Sequence, residues 1–182
     1  MVLKVGIIGP TNLEKLSKLT GKSVSFFLEK AKEIGKVVAD GGHELWINGD
    51  RGMTISIGRS YKENKGKKLV VLYPKVAEPW PDDHIRKYKE VADIVREERN
   101  WFWANYSVVS EPDLCICVGL SAGTLSELAY IKWNHLLNQG KLEKLIAIKE
   151  LLRGGVLPPE IEVDIGPVLQ YIETTKELHK FL

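Results

Sequence analysis

Short, continuously apolar runs alternate along this chain with longer segments whose apolar residues recur at helical spacing. The run at residues 113–118 (DLCICV) predicts a strand buried on both faces, and residues 124–137 predict an amphipathic helix after it. Parallel strands need long crossovers of this kind, whereas antiparallel strands are joined by short turns. The alternation therefore predicts an α/β fold: a doubly wound, mostly parallel sheet with helices on both faces, in a Rossmann-like three-layer sandwich. The predicted strands cover residues 2–8, 44–48, 68–73, 92–95, 113–118, 144–149 and 161–164; the predicted helices cover residues 23–39, 53–64, 97–110, 124–137 and 168–181, with a loop at residues 75–83 after Pro74.

The length and the charge balance bound the class of protein. A chain of 182 residues needs one core, so we expect a single domain over residues 1–182. The 26 Lys and Arg residues oppose 24 Asp and Glu residues, and a net charge of +2 argues against a nucleic-acid-binding protein, which normally carries a basic excess. One local site can still bind a small anion. No apolar run approaches the ~18 residues of a membrane span, so we expect no membrane partner.

The two cysteines, Cys115 and Cys117, lie two residues apart in one apolar strand. This spacing favours thiols packed in the core over a disulfide framework and is typical of a protein of the reducing cytoplasm. The four histidines share no metal-ligand spacing, and no G-x-G-x-x-G follows the first strand. We therefore expect neither a metal site nor a resident cofactor.

The loops that follow three of the predicted strands contain glycine and small polar residues. The carboxyl ends of parallel strands meet at one edge of the sheet, where ligands bind in folds of this class. At Gly123 and Thr124 a helix begins directly after a strand, so unpaired N–H groups and the positive end of the helix dipole favour a phosphate there. The alternative is that these two residues only turn the chain and cap the helix. The candidate ligand-binding residues of the three loops are Gly9, Thr11, Gly49, Gly52, Ser121, Gly123 and Thr124.

Glu127 follows Gly123 by one helical turn and lies on the side of the helix mouth. A carboxylate at this position can face a sugar or a reacting centre next to a bound phosphate. The alternative is that Glu127 only stabilises the helix dipole from the first turns of the helix.

The segment at residues 119–123 (GLSAG) also matches the G-x-S-x-G nucleophile elbow of serine hydrolases. Asp164 and His179 follow Ser121 in the order that such hydrolases use, so a triad of these three residues is a remote alternative. Against it, His179 lies in a predicted amphipathic helix rather than in a loop at a strand end.

Residues 2–150 resemble the LOG-like family, which is related to molybdenum-cofactor carrier-like proteins. The family hallmark is a strand followed by P-G-G-x-G-T-x-x-E, and its tail is present at residues 123–127 (GTLSE) after the strand at 113–118. Residues 49–53 (GDRGM) resemble the family's G-G-x-x-G-x-M turn. The resemblance implies that the chain binds a nucleoside 5′-monophosphate and hydrolyses its N-glycosidic bond, which releases the free base and ribose 5-phosphate.

The resemblance also implies roles for individual residues. Ser121, Gly123 and Thr124 would hold the phosphate, and Glu127 would contact the ribose. The Glu127 carboxylate would offset the positive charge that develops at the anomeric carbon as the base departs.

Two departures from the family pattern leave a second function open. The P-G-G part of the hallmark is replaced by residues 119–121 (GLS), whose side chains are bulkier. The family's arginine in the preceding helix falls on Ala104 when no gap is allowed, and Arg99 is the candidate to replace it; otherwise Arg99 is a solvated surface charge. The alternative function is a carrier-like protein that binds a nucleotide or cofactor without cleaving it.

Three aromatic residues, Trp101, Trp103 and Tyr106, cluster before the strand at 113–118. They are suited to stacking on a nucleobase or to forming a subunit interface. Members of the family are usually dimers, which favours the interface and predicts a homodimer or higher homo-oligomer.

Overall fold

The computed structural model describes residues 1–76 and 83–182 and confirms the α/β, Rossmann-like fold. Its sheet has seven strands in the order β4-β3-β2-β1-β5-β6-β7, and every neighbouring pair is parallel. The strands are β1 (Lys4–Ile8), β2 (Glu44–Asn48), β3 (Leu69–Val76), β4 (Ile94–Asn100), β5 (Leu114–Cys117), β6 (Lys144–Ile148) and β7 (Leu169–Ile172). The helices are α1 (Leu13–Thr20), α2 (Val24–Asp40), α3 (Met53–Glu63), α4 (Asp83–Arg86), α5 (Trp101–Ser110), α6 (Ala122–Leu136) and α7 (Pro159–Ile165).

The strand order reverses between β1 and β5. From β1 the chain adds β2, β3 and β4 on one side, and from β5 it adds β6 and β7 on the other. Because crossovers are right-handed, this reversal puts α1, α2 and α3 on one face of the sheet and α5, α6 and α7 on the other. The reversal is a topological switch point, which leaves a crevice beyond the carboxyl ends of β1 and β5.

Each face of the sheet carries its own apolar core. Phe27, Ile34 and Tyr61 pack on the face covered by α2 and α3. The other face carries a second core, to which α5 and α6 contribute Val108 and Leu128. Cys115 and Cys117 lie in this second core as fully buried free thiols, which confirms the prediction that they pack in the core.

The two elements predicted at the C-terminal end of the chain are wrong. Residues 161–164, predicted as a strand, lie in helix α7, which begins at Pro159, where a fixed φ and a missing N–H suit the first helical turn. Residues 168–181, predicted as a helix, form β7 and a 3₁₀ helix at Thr175–Lys180. Residues 169–172 form a strand rather than a helix because they pair with β6 from Leu145 to Ile148.

Two further boundaries differ from the prediction. The helix predicted at 97–110 begins only at Trp101, because Asn100 is its N-cap and residues 94–100 pair with β3. The third strand does not end at Pro74: β2 pairs with β3 only as far as Leu72, so Pro74 has a neighbouring strand on one side only, where proline is tolerated. Of the predicted loop at 75–83, residues 77–82 lie outside the described part of the chain.

Helix α1 was not among the predicted elements. Asn12 caps it, accepting a hydrogen bond from the backbone N–H of Lys15 at 2.9 Å, and Gly21 ends it in the left-handed conformation. No helix of the described residues is long and apolar enough to cross a membrane.

Candidate functional site

The loops after β1, β2 and β5 surround a cavity of about 650 Å³ at the switch point. This volume lies within the range of small-molecule sites. Five of the predicted ligand-binding residues line it, as does Glu127, whereas Gly49, Gly52 and Arg99 do not. The lining residues are Gly9, Pro10, Thr11, Asn12, Lys15, Leu16, Leu19, Asn48, Asp50, Thr54, Trp101, Asn105, Leu120, Ser121, Ala122, Gly123, Thr124, Leu125 and Glu127.

One wall of the cavity is the N-terminus of α6. Ser121 is its N-cap: the Ser121 Oγ accepts a hydrogen bond from the backbone N–H of Thr124 at 3.2 Å and lies 3.0 Å from the Thr124 hydroxyl. The polar groups of Ser121 and Thr124 thus bind each other. The N–H groups of Ala122 and Gly123, in contrast, have no acceptor within the helix. Both residues line the cavity, so these N–H groups and the helix dipole favour an anion there.

Two of the loop glycines are explained by contacts within the protein. A Cβ atom on Gly9 would lie 2.4 Å from the Val118 side chain. Gly52 has a φ of +84°, and its Cβ would lie 2.6 Å from the carbonyl oxygen of Thr11. Next to it, the backbone N–H of Met53 donates to the Pro10 carbonyl at 3.2 Å. Gly9 and Gly52 therefore allow the loops to pack and carry no separate signal of a ligand.

Gly123 is different, because the protein itself gives no reason for a glycine there. Its φ is not in the left-handed region, and the nearest atom to a built Cβ is the Ser121 Oγ at 3.7 Å, an ordinary contact. Glycine within a helix destabilises it relative to alanine by about 0.5–1 kcal/mol. A missing side chain beside two free N–H groups leaves open the space that a bound phosphate would fill.

Glu127 lies on the floor of the cavity and is only 4% exposed. Its Oε1 accepts a hydrogen bond from Asn48 Nδ2 at 2.9 Å, while its Oε2 is buried without a partner among the described residues. Burial raises the pKa of the Glu127 carboxyl well above its ordinary value, and the Asn48 hydrogen bond offsets this only in part. Burial therefore shifts the Glu127 carboxyl toward its neutral form.

Two asparagines complete the polar floor, and the sequence analysis missed both. Asn48 Nδ2 also donates to Asn105 Oδ1 at 3.0 Å, and Asn105 Nδ2 donates to Ser126 Oγ at 3.2 Å. Asn48 Oδ1, like Glu127 Oε2, is buried without a partner in the described part of the chain. The available signal for Asn48 was an amide at the carboxyl end of a predicted strand, where ligands bind in folds of this class.

The cavity contains few charged side chains. Among the described residues, Lys15 supplies its one cation, and Asp50 and Glu127 supply its carboxyl groups. Ala104, at the family's arginine position, is fully buried in the core. Arg99 is exposed on β4, the strand at the edge of the sheet, because residues 97–100 form a strand and not the predicted helix.

The three residues of the alternative hydrolase triad do not form one. Ser121 caps α6, while Asp164 of α7 pairs at 2.7 Å with Lys132, which lies further along α6. His179 lies in the C-terminal 3₁₀ helix, where its Nδ1 contacts the Lys176 carbonyl. Neither Asp164 nor His179 lines the cavity, so Ser121 has no general base from this set.

The predicted aromatic cluster divides between the cavity and the surface. Trp101 lines the cavity. Trp103, 48% exposed, makes an edge contact with Tyr106 at 5.9 Å between ring centroids, and Tyr106 makes another with Tyr130 of α6 at 5.7 Å. Aromatic rings thus run across the outer face of the α5–α6 layer.

Solved structures with the same architecture span nearly the whole chain. The molybdenum cofactor binding protein of the phototrophic bacterium Rippkaea orientalis aligns with a TM-score of 0.69 and 16% identity, over 100% of this chain and 95% of that chain. The molybdenum cofactor carrier protein of Chlamydomonas reinhardtii aligns with a TM-score of 0.62 and 14% identity, over 97% and 92% of the two chains. The structural-genomics target TM1055 aligns with a TM-score of 0.63 and 16% identity, over 100% and 98%.

No protein-family model and no curated protein matches the sequence. At 14–16% identity the structural similarity establishes the fold, and it does not transfer a ligand or an activity. The chain therefore has the Rossmann-like α/β fold of these molybdenum cofactor carrier and binding proteins.

Proposed function

We propose that this protein binds a small phosphorylated ligand, a nucleotide or a phosphorylated cofactor, and holds it without cleavage. The phosphate accepts hydrogen bonds from the N–H groups of Ala122 and Gly123 at the start of α6. The observation that carries the proposal is the open space at Gly123, because no contact within the protein accounts for a glycine there. The hydrogen bonds between Ser121 and Thr124 order this end of the helix before the anion binds.

The floor of the cavity binds the uncharged part of the ligand. The neutral Glu127 carboxyl can donate a hydrogen bond from Oε2, and Asn48 Oδ1 can accept one, once their side chains turn toward the ligand. A ribose diol or the polar edge of a heterocycle offers both partners. Trp101 on the cavity wall suits stacking on a flat ring.

Two features favour binding over hydrolysis. Departure of a base from a ribose develops positive charge at the anomeric carbon, and a neutral acid offsets that charge far less than a carboxylate does. No arginine lines the cavity among residues 1–76 and 83–182, so the described site offers no guanidinium to the ligand.

Binding without cleavage is tested by incubating the protein with AMP, CMP, GMP and UMP. Calorimetry and thermal shift should show saturable stabilisation by at least one of them, since a ligand that binds only the folded state stabilises it. Chromatography of the same mixtures should recover the nucleotide intact. Absence of binding by every nucleotide, or appearance of free base, would contradict the proposal as stated.

Hydrolysis of a nucleoside 5′-monophosphate is the second candidate. It is favoured by the position of Glu127, which lies one helical turn from the phosphate-binding Gly123. Release of free base by the wild-type protein, abolished by Glu127→Gln and retained by Glu29→Gln at an exposed site on α2, would establish this candidate instead.

We also propose that the protein is a homodimer that pairs through the outer face of α5 and α6. Phe102 of α5 and Trp133 of α6 are 72% and 54% exposed, and large exposed apolar patches mark interaction sites. Two-fold homodimers are the commonest oligomers, and their interface pairs one surface patch with its own copy.

Size-exclusion chromatography with light scattering should therefore show a dimer. The double variant Phe102→Lys, Trp133→Lys should be monomeric, because two buried charges at the interface would lack partners. Val2→Lys, at an exposed position before β1, should leave the dimer intact. A monomeric wild type, or a dimer that survives the double substitution, would refute the proposed interface.

A further inference from the structure

His43 lies in the turn between α2 and β2, at the edge of the sheet opposite the cavity. Its side chain is packed into the protein, and only 6% of the residue is exposed. The ring lies directly against Gly41, because a Cβ atom on Gly41 would be 2.7 Å from His43 Cδ2 and 3.3 Å from the main-chain carbon of Leu182. This buried imidazole takes no part in the proposed ligand site.

The hydrogen bonding of His43 fixes which ring nitrogen carries the proton. The backbone N–H of Leu3 donates to His43 Nδ1 at 3.2 Å, so Nδ1 is the acceptor and the neutral ring carries its proton on Nε2. Nε2 is buried and has no hydrogen-bond partner among the described residues. The neutral ring therefore uses its one acceptor to bind the residue before β1, and it leaves its one donor unsatisfied.

A second proton on this ring must go to Nδ1, because Nε2 already carries one. The new Nδ1–H would face the Leu3 N–H, and two donors do not bond to each other. The hydrogen bond would be lost, and both N–H groups of a buried cation would lack acceptors, which costs free energy unless the ring reaches water. The protonated ring therefore does not fit the closed arrangement of His43 and Leu3.

The charged groups nearest in the sequence and at the start of β1 do not offset this cost. Burial, and after it the charge of the Met1 amino group, holds the pKa of His43 below its ordinary value of 6.5. The carboxylate of Glu44 is engaged elsewhere, since its Oε1 accepts from Trp46 Nε1 at 2.5 Å and its Oε2 pairs with Lys68 at 2.8 Å.

The elements packed around the turn offer the imidazole no anion either. Tyr61 of α3 donates to the His43 carbonyl oxygen at 2.7 Å. Asp40, at the end of α2, pairs with Lys36 at 2.8 Å. In the described part of the chain, no carboxyl group, that of Leu182 included, lies within hydrogen-bond distance of the buried Nε2.

We propose that His43 is an acid-sensitive latch, which holds the start of β1 against the turn before β2 at neutral pH and releases it when the ring takes up a second proton. The latch adjoins the first hydrogen bond between β1 and β2, in which the Glu44 N–H donates to the Leu3 carbonyl at 2.9 Å. In the open form the Leu3 N–H and both ring N–H groups reach water. The proton comes from the solvent. Because the latch lies at the other edge of the sheet, this inference does not depend on the proposed function.

The direction and size of the pH effect follow from the proton balance. The open form binds the second proton with the ordinary affinity of histidine, whereas the closed form binds it more weakly. The ratio of open to closed protein should therefore be constant above pH 6.5 and rise as the pH falls below it. The rise should reach at most about tenfold per pH unit and level off below the pKa of the closed form.

Amide hydrogen exchange of Leu3, followed by NMR from pH 7.5 to pH 5, measures this ratio. Protection is expressed relative to an unstructured peptide, which removes the intrinsic pH dependence of exchange. Protection of Leu3 in the wild type should fall below pH 6.5. His43→Asn places an amide oxygen where Nδ1 was, so it can still accept from Leu3 but does not titrate, and its protection should not change with pH. His135→Asn, at an exposed position of α6, is the matched control and should behave as the wild type does.

The ring protons of His43 titrate in the same spectra, so the wild type alone tests the inference if His43→Asn does not fold. The midpoint should lie below pH 6.5 and coincide with the loss of protection at Leu3. A midpoint at or above pH 6.5, or constant protection of Leu3 down to pH 5, would overturn the inference. So would a loss of protection in His43→Asn equal to that of the wild type, because another group would then be responsible.

Discussion

Replacing Gly123 with alanine should make the free protein more stable and its binding of a phosphorylated ligand weaker. The new methyl group meets nothing closer than 3.7 Å in the protein, and alanine is the better helix former. The free energy of unfolding should rise by about 0.5–1 kcal/mol. The methyl group would occupy the space beside the N–H groups of Ala122 and Gly123, so ligand affinity should fall by roughly tenfold or more as charge-assisted hydrogen bonds lengthen.

Gly166 provides the matched control for this prediction. It has helical dihedral angles at the end of α7, and a Cβ there would lie 3.4 Å from the Glu162 carbonyl oxygen, well away from the cavity. Gly166→Ala should leave ligand affinity unchanged. Chemical denaturation measures the stabilities and calorimetry the affinities. If Gly123→Ala binds nucleotides as tightly as the wild type, the phosphate does not lie at the start of α6.

The Glu127→Gln variant should be more stable than the wild type at neutral pH, and its advantage should grow with pH. Burial raises the pKa of Glu127 above its ordinary value of 4.5, so the folded protein keeps a proton that the unfolded chain releases. The folded state then binds more protons, and wild-type stability falls as pH rises above 4.5. The difference between variant and wild type should increase by up to about 1.4 kcal/mol per pH unit. It should level off once the pH exceeds the pKa of the folded protein.

Glutamine suits this test because its Oε1 can still accept the hydrogen bond from Asn48, as the neutral acid does. Urea denaturation from pH 4 to pH 8 measures the two curves, with Glu29→Gln at an exposed position of α2 as the control. Below pH 4.5 the two proteins should converge, apart from a constant offset. Curves that stay parallel over the whole range would show that Glu127 ionises in the folded protein, which would restore the carboxylate that hydrolysis needs.

The sequence predicted the fold through its buried strands, and it failed where strand pairing decided the outcome. The run at 113–118 is apolar enough to identify β5 and its place in the core from local sequence alone. Leu169–Ile172 has no such run; it is a strand because β6 offers an open edge. Local spacing also placed residues 97–100, the second half of β4, in the helix that follows, because the N-cap role of Asn100 depends on where its strand ends.

The candidate site was predicted in outline, because residues after parallel strands must meet at one edge. The gathering of Thr11, Gly123 and Glu127 around one cavity follows from that rule. The environment of Glu127 does not follow from that rule, since its hydrogen-bond partner Asn48 and the neighbour of Asn48, Asn105, come from other elements. From their positions in the sequence, Gly9 and Gly123 were both predicted to bind the ligand. The geometry separates them, because Gly9 is needed for packing and Gly123 is not.

The backbone of Gly52 packs against Pro10 and Thr11, and the backbone N–H of Met53 donates to the Pro10 carbonyl, so the loops after β1 and β2 hold each other in place. A receptor assembled in this way loses little conformational freedom when its ligand arrives. Any side chain at position 52 would separate the two loops and disturb both sides of the cavity together. New ligand preferences would therefore evolve more readily through the side chains of α1, α5 and α6. These can change one at a time while the packed loops after β1 and β2 stay fixed.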